Sequence, residues 1–132
     1  MIGLDTNILI RYLTQDDPIR SPQATALIEG ELSIENPGFV TVVTIAETAW
    51  VLTRSYSLSR QEVAGDIQRI LSADVFVVEH LQYVFAAMEM LKDGSADFSD
   101  ALVGFLAGHA GCAHTVTFDR KAARLPGFKL LS

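Results

Sequence analysis

The stretch SADFSDAL, residues 95–102, opens an otherwise apolar segment with two aspartates, Asp97 and Asp100, three positions apart. Leu102, Val103 and Leu106 follow, so most of this segment belongs in a protein core. Burying an ionised carboxylate costs several kcal/mol unless another group compensates the charge. The two aspartates therefore either cap the helix that they begin or hold a cation.

The length and composition predict a single domain over residues 1–132 with a sizeable core, because 49% of the residues are hydrophobic. No apolar run approaches the ~18 residues of a membrane-spanning helix, and the N-terminal MIGLDTN lacks the basic region of a secretory signal. We therefore expect a soluble protein with no membrane partner. The single cysteine, Cys112, excludes an internal disulfide and is typical of a cytoplasmic protein.

The net charge of −6 argues mildly against a nucleic-acid partner, because such proteins usually present a basic surface. The distribution of the charges weakens that argument. Four of the ten basic residues lie in the last thirteen positions: Arg120, Lys121, Arg124 and Lys129. The net charge of the whole chain therefore does not decide between the function classes.

Apolar and β-branched runs alternate with segments of helical periodicity. This alternation predicts right-handed crossovers and an α/β fold with a mainly parallel sheet covered by helices. The predicted strands are residues 2–4, 39–43, 75–78, 113–118 and 128–131, and the predicted helices are residues 7–14, 17–32, 44–54, 59–71, 80–91 and 97–109.

Five acidic residues follow strands or begin helices of this pattern. Asp5 follows the first strand, Glu47 lies in the first turn after strand 39–43, and Asp119 follows strand 113–118. Asp97 and Asp100 open their helix. In a parallel α/β sheet the carboxyl ends of the strands and the N-termini of the helices share one edge, where ligands bind. We expect all five acids to gather there.

Each acid also has a structural explanation when it is taken alone. Thr44 and Glu47 match the capping box S/T-x-x-E, and the aspartates suit helix caps, first helical turns or turns after strands. Two carboxylates ~5 Å apart, however, repel by roughly 3 kcal/mol at an effective dielectric of ~20, whereas a cap contributes only ~1 kcal/mol. The cluster therefore needs a positive partner. Oxygen ligands without paired His or Cys favour Mg²⁺ or Mn²⁺ over zinc.

Read in order, four pieces of the chain resemble a PIN domain, and most closely a VapC-type toxin ribonuclease. They are Leu4-Asp5-Thr6-Asn7, Glu47, Asp97-Phe98-Ser99-Asp100-Ala101-Leu102 and Thr117-Phe118-Asp119. The resemblance implies a three-layer α/β/α sandwich around a mainly parallel sheet. It also implies cleavage of RNA phosphodiester bonds with Mg²⁺ or Mn²⁺, cytoplasmic action, and a cognate antitoxin protein that blocks the site.

The resemblance also implies roles for individual residues. The residues that match the family's acidic quartet are Asp5, Glu47, Asp100 and Asp119. The quartet is expected to be both catalytic and metal-binding, with Asp5 and Asp100 as direct ligands. Asp97 is a candidate fifth acid. Three polar residues, Thr6, Asn7 and Thr117, match positions that brace the acids. Arg11, Arg120 and Lys121 are candidate RNA contacts.

The sequence alone leaves several of these assignments with alternatives. Asn7 equally suits a helix cap. Asp97 fits the N-cap of its helix, where its side chain would bond backbone N–H groups, while Asp100 would point toward Asp5. His114 we expect to be structural and buried in its strand.

The sequence fits two other function classes less well. A phosphatase of the haloacid-dehalogenase type needs D-x-D after the first strand, whereas position 7 is Asn, and a receiver domain needs an acceptor aspartate where Glu79 follows VFVV. Another metal-dependent α/β phosphohydrolase, or an inactive PIN-like interaction module, remains the alternative.

The stretch from residue 7 to residue 69 carries apolar residues that together can exceed what its core absorbs, although for any one of them core packing is the expected fate. Exposed apolar patches usually mark interfaces. We expect a homodimer and an antitoxin helix bound in a groove near the site. The residues that suggest this surplus are Ile10, Tyr12, Leu13, Trp50 and Leu58.

Overall fold

The computed structural model describes residues 1–131. Internal contacts divide the chain into two compact units: unit 1 is Met1–Leu81, and unit 2 begins at Gln82. Both units combine helices with parallel strands, which confirms the predicted α/β class. The single domain over residues 1–132 stays a prediction, and its last residue, Ser132, lies outside the described residues.

The sheet of unit 1 has three strands, β1 (Ile2–Gly3), β2 (Gly38–Val40) and β3 (Phe76–Val78), in the order β1-β2-β3 with both pairs parallel. Gly38 allows the buried Leu4 side chain to lie against β2, since a Cβ at this position would stand 2.6 Å from Leu4 Cδ1. This close approach fixes the chain at the end of β1, immediately before Asp5.

The helices of unit 1 are α1 (Thr6–Thr14), α2 (Arg20–Thr25), a π-helical segment that continues α2 (Ala26–Glu31), α3 (Val42–Arg54) and α4 (Arg60–Ser72). Their apolar faces form a core against the sheet because helical spacing places these side chains on one side of each helix. Fully buried members of this core include Leu9, Ile45, Leu52, Ile67 and Ile70.

The start of α3 differs from the sequence prediction. Residues 39–43 were expected to form one strand, but β2 ends at Val40 and Thr41 caps α3, with its Oγ1 accepting the Thr44 N–H at 3.0 Å. The cap outweighs the strand preference of Val42 and Val43, because β propensity depends strongly on context. The predicted capping box between Thr44 and Glu47 is therefore wrong, and Glu47 lies in the second turn.

Unit 2 contains two strands, β4 (Thr115–Thr117) and β5 (Phe128–Leu130), which pair in parallel. Its helices are α5 (Leu81–Asp93), which begins at the boundary between the units, α6 (Phe98–His109), and a short 3-10 helix (Ala122–Arg124). Buried Val84, Ala87 and Met88 of α5 and Leu102 of α6 belong to its core. No helix within residues 1–131 is long and apolar enough to cross a membrane.

One burial prediction is wrong, and the structure divides the residues of another. His114 was expected to be buried in a strand, but it is exposed and precedes β4, which begins at Thr115. Among the apolar residues expected in surplus, Ile10 is buried in the core and Trp50 is exposed. The three others, Tyr12, Leu13 and Leu58, are half-buried.

Candidate active site

Asp5 begins α1 directly after β1. The Leu4 N–H donates to the Phe39 carbonyl at 3.0 Å, which continues the β1–β2 pairing up to the aspartate. Asp5 has extended backbone angles at the N-cap position, and its Oδ1 accepts the Thr6 N–H at 2.8 Å. The cap of α1 is therefore Asp5, and the alternative role of Asn7 as the cap is wrong.

Thr6 contacts both predicted acids of unit 1. Its backbone N–H bonds to Asp5, and its buried side-chain hydroxyl donates a short hydrogen bond to Oε1 of Glu47, 41 positions away on α3. Neither bond uses Oδ2 of Asp5 or Oε2 of Glu47. A single threonine thus orients two carboxylates that the sequence separates widely.

Arg11 lies near these acids on α1. Its Nη1 donates to Asp16 at 3.1 Å and to the Tyr56 hydroxyl at 3.3 Å, and that hydroxyl donates to Asp16 at 2.7 Å. Hydrogen bonds from Tyr56, Thr14 and Arg11 lower the pKa of Asp16 to about 2. The hydrogen bond to Asp16 in turn raises the pKa of Arg11. Asp16 and Tyr56 therefore hold the guanidinium in place.

One open cavity of about 420 Å³ joins these groups. Among residues 1–131, no hydrogen-bond partner meets the buried Nε of Arg11. An acidic end and a basic end thus share one cleft of unit 1. Its lining includes Asp5, Thr6, Asn7, Arg11, Glu47 and Tyr56.

Asp97 lies at the N-cap position of α6 with extended backbone angles, as the sequence predicts. Its side chain, however, accepts no capping hydrogen bond; Oδ1 lies 3.5 Å from Nζ of Lys121. The expectation that the Asp97 carboxylate is engaged by backbone N–H groups is therefore wrong, because this exposed carboxylate faces a lysine instead.

Asp100 lies one turn into α6 and is half-buried. Burial raises the pKa of its carboxyl group, the negative charges of Asp97 and Asp119 raise it further, and Lys121 lowers it in part. The same electrostatic interactions show that unit 2 brings these three predicted acids into one neighbourhood.

Asp119 follows β4 and organises the turn after it. Its Oδ1 accepts the backbone N–H groups of Lys121 at 2.8 Å and Ala122 at 3.1 Å, which starts the 3-10 helix. Its own N–H donates to Oγ1 of Thr117 at 3.0 Å. The turn role expected of Asp119 thus occupies one oxygen and holds the carboxylate near Asp100.

The PIN domain family matches residues 2–127 of the chain. The chain belongs to the PIN-domain family. It is also 25% identical over 130 residues to a VapC ribonuclease of Aquifex aeolicus (strain VF5), an alignment that covers 98% of this chain and 94% of that protein. No solved structure matches the chain at a comparable level of significance. The family match confirms the resemblance inferred from the four sequence pieces.

The chemistry of this PIN domain's acids suits a hard cation. Within residues 1–131, no three His, Cys, Asp or Glu side chains are arranged to hold a metal ion. Burial and the nearby charges of Asp97 and Asp119 nevertheless raise the pKa of Asp100, and Lys121 offsets this rise in part. Oxygen ligands of this kind fit Mg²⁺ or Mn²⁺.

Two residues that support the PIN-domain cleft were not identified from the sequence. Asp16 and Tyr56 hold Arg11, but 40 positions separate them, so no local pattern connects the pair. The Thr14 hydroxyl also donates to Asp16 at 2.7 Å. In the sequence, these two residues look like an ordinary turn after a helix. The role of Asp16 and Tyr56 becomes visible only where α1 packs against α3 and the two side chains meet.

Proposed function

We propose that this PIN domain is a divalent-metal-dependent endoribonuclease and the toxin of a type II toxin–antitoxin pair. The observation that carries the proposal is the position of half-buried Asp100 close enough to Asp97 and Asp119 for their negative charges to raise its pKa. The PIN-domain match and the similarity to a VapC ribonuclease support RNA as the substrate.

We assign Asp5, Glu47, Asp100 and Asp119 as the catalytic, metal-holding acids, and Asp97 as an additional acid beside them. When bound, Mg²⁺ or Mn²⁺ would lower the pKa of a water molecule and neutralise the negative charge that develops on the phosphate.

The polar residues around the acids then act as positioning groups. Thr6 holds Asp5 and Glu47 by two hydrogen bonds, and Thr117 bonds the backbone of Asp119. Fixed carboxylates need no reorganisation when charge develops, which is the main electrostatic advantage of an enzyme site. Asn7 lines the same cleft as Asp5 and Glu47 and has room to contact substrate or water there.

Arg11 is the strongest of the three candidate RNA contacts. It shares a cleft with Asp5 and Glu47, and its planar guanidinium matches phosphate oxygens in geometry. Asp16 and Tyr56 hold it by Nη1, while Nε has no partner among residues 1–131. Arg120 and Lys121 are exposed in the loop that carries Asp119, where they are available to phosphate groups.

Cytoplasmic action, a cognate antitoxin and a homodimer complete the proposal. The free, exposed Cys112 suits a reducing compartment. On α3, Val43 is 77% and Trp50 57% exposed, and such apolar side chains suit a protein interface. A further cavity of about 290 Å³ in unit 1, partly lined by Tyr12, Leu13 and Phe76, has the apolar character that an amphipathic antitoxin helix would fill.

The enzymatic part is tested by incubating the purified protein with single-stranded RNA in Mg²⁺, in Mn²⁺ and in EDTA. We expect cleavage only with metal, and none by an Asp5→Asn variant purified in parallel, which controls for contaminating nuclease. Hydrolysis of a phosphomonoester without RNA cleavage would instead favour another α/β phosphohydrolase. An inert protein that still binds a partner would favour the interaction module.

The oligomeric part is tested by light scattering. A homodimer should give twice the chain mass at micromolar concentration, and Trp50→Glu should shift it toward the monomer because a charge is inserted into an apolar contact. A clean monomer of the unsubstituted protein at high micromolar concentration would contradict the dimer.

A further inference from the structure

Phe118 is the feature of unit 2 that the acid site does not account for. It lies between Thr117 and Asp119 and is 80% exposed, whereas Phe85 of the same unit is 46% exposed. A phenylalanine displayed so fully gains nothing from the core, and an aromatic ring beside reactive acids is a usable binding surface.

The backbone on both sides of Phe118 is held firmly. The Thr117 carbonyl accepts the Leu131 N–H at 2.8 Å, and the Asp119 N–H donates to Thr117 Oγ1 at 3.0 Å. The Asp119 carboxylate then accepts the Lys121 N–H at 2.8 Å. The ring is therefore presented from a fixed segment, so little conformational entropy is lost when a ligand binds to it.

The residues around the ring indicate what that ligand is. Arg120 and Lys121 follow in the same exposed loop, and the Lys121 ammonium lies 3.5 Å from the Asp97 carboxylate, which places the loop beside the acids. Exposed aromatic faces combined with nearby cations bind single-stranded nucleic acid, with bases stacked on the rings and phosphates against the cations.

We propose that Phe118 is a base-stacking platform for the RNA substrate. One unpaired base stacks on its ring, Arg120 and Lys121 contact the adjoining phosphates, and the neighbouring phosphodiester is thereby positioned at the acids. The inference rests on the proposed ribonuclease function and adds to it a preference for unpaired RNA, because a duplex keeps its base faces stacked internally.

The test compares Phe118→Ala, Phe118→Leu and Phe118→Trp with Phe85→Ala, a matched exposed phenylalanine on α5. Binding is measured by fluorescence anisotropy of a short labelled oligouridine, with every variant in an Asp100→Asn background so that the RNA stays intact. We expect Ala and Leu to weaken binding by roughly 5- to 150-fold, which is the range of one lost base–aromatic stack. Trp should bind at least as tightly as Phe, and Phe85→Ala should bind unchanged.

Two further readouts separate stacking from a structural role. In the active protein, which retains Asp100, loss of stacking should raise KM for oligouridine and leave kcat largely unchanged. The reason is that the stacked base is bound equally in the ground state and in the transition state. Affinity for a blunt RNA duplex should be equal for all variants. Thermal melting checks that the exposed substitutions leave the fold intact.

Several outcomes would overturn the inference. Equal oligouridine binding by Phe118→Ala and the reference protein would show that the ring contacts no base, and would instead fit a contact with a protein partner. Equal oligouridine affinity of Phe118→Leu and the reference protein would show that the contact is simply apolar and does not involve base stacking. If the unsubstituted protein neither binds nor cleaves any RNA, the proposed function fails together with the inference. If it cleaves RNA equally well with and without the Phe118 ring, only the inference fails.

Discussion

Asp16 of unit 1 and Asp100 of unit 2 lie in opposite electrostatic environments. In unit 1, Asp5 and Glu47 each accept a hydrogen bond from Thr6, and Asp16 accepts bonds from three donors that lower its pKa to about 2. In unit 2, Asp100 is half-buried among like charges, and its pKa is raised. Donors favour the ionised form of an acid, whereas burial and like charges favour the neutral form.

This difference assigns different tasks to the two sets of acids. In unit 1, Thr6 orients the carboxylates of Asp5 and Glu47 by hydrogen bonds. In unit 2, Lys121 offsets only part of the negative charge around Asp100, and a cation would offset it further. We therefore expect Thr6 to set the orientation of the unit 1 acids and Asp100 to contribute strongly to metal affinity.

The largest expected effect is on catalysis. Asp100→Asn should lower the rate of RNA cleavage by roughly 100-fold or more, because the substitution removes a carboxylate charge proposed to hold the metal ion. The matched unit 1 variant, Asp16→Asn, should lose far less activity, mainly through KM, since Asp16 only holds Arg11. Initial rates at saturating Mn²⁺ measure both. Equal losses in the two variants would erase the proposed difference between the units.

The second effect is on metal-dependent stability. A cation bound only by the folded state stabilises it by ~2.7 kcal/mol at a hundred times its Kd, which for a domain of this size raises Tm by roughly 10 °C. We expect Mg²⁺ to raise Tm well above the effect of Na⁺ at matched ionic strength, and Asp100→Asn to melt no lower than the unsubstituted protein without metal.

The same melting experiment tests which of the assigned acids hold the metal. If Asp5 and Asp100 both act as ligands, Asp5→Asn alone and Asp100→Asn alone should each remove most of the metal response, and the double variant should add little more, since ligands of one ion are coupled. An Asp5→Asn variant with the full Mg²⁺ response would confine the ion to unit 2. Equal responses to Na⁺ and Mg²⁺ would contradict a specific metal site.

Much of this comparison could be predicted from the sequence. The positions of the acids relative to strands and helices followed from hydrophobic periodicity, and Asp5, Asp97 and Asp119 lie at the ends or starts of elements as expected. The helix boundaries were also close, as for α6, where residues 97–109 were predicted and Phe98–His109 is observed.

What could not be predicted depends on tertiary contacts. The hydrogen bond between Thr6 and Glu47 and the Asp16–Tyr56 pair span about forty positions, so no local pattern indicates them. The boundary at Thr41 was missed because Val42 and Val43 favour strands locally, whereas the threonine cap and the packing of α3 favour a helix.

The third prediction is an opposite pH dependence in the two units. The raised pKa of Asp100 means that its ionisation opposes folding, so its contribution is most favourable below its ordinary pKa and is lost as pH rises through the raised value. The lowered pKa of Asp16 means that its ionisation favours folding, so that contribution is present above its ordinary pKa of about 3.8 and is lost as pH falls toward about 2.

Urea unfolding of the metal-free protein at a series of pH values measures this effect. Relative to Asp100→Asn, the unsubstituted protein should lose stability as pH rises through the raised pKa of Asp100. Relative to Asp16→Asn, it should lose stability as pH falls from about 3.8 toward about 2. The same sign of pH dependence in both comparisons would show that the environments of the two acids are alike.

The smallest expected effect concerns Asp97, which holds the N-cap position of α6 without making the capping bond. A lost cap would cost ~1 kcal/mol on replacement by alanine and nearly nothing on replacement by asparagine. Because the side chain faces Lys121 instead, Asp97→Ala and Asp97→Asn should lie within about 0.5 kcal/mol of each other in unfolding free energy.

Cleavage by the same two Asp97 variants completes the comparison. Asp97 adds negative charge beside Asp100, so its loss should raise the Mg²⁺ concentration needed for half-maximal cleavage, while the rate at saturating Mn²⁺ stays within about ten-fold of the unsubstituted rate. A variant Asp97→Asn as inactive as Asp100→Asn would make Asp97 a direct ligand. If Asp97→Ala were instead ~1 kcal/mol less stable than Asp97→Asn, the capping bond would form in solution. The Asp97 carboxylate would then alternate between the helix N–H groups and the Lys121 ammonium.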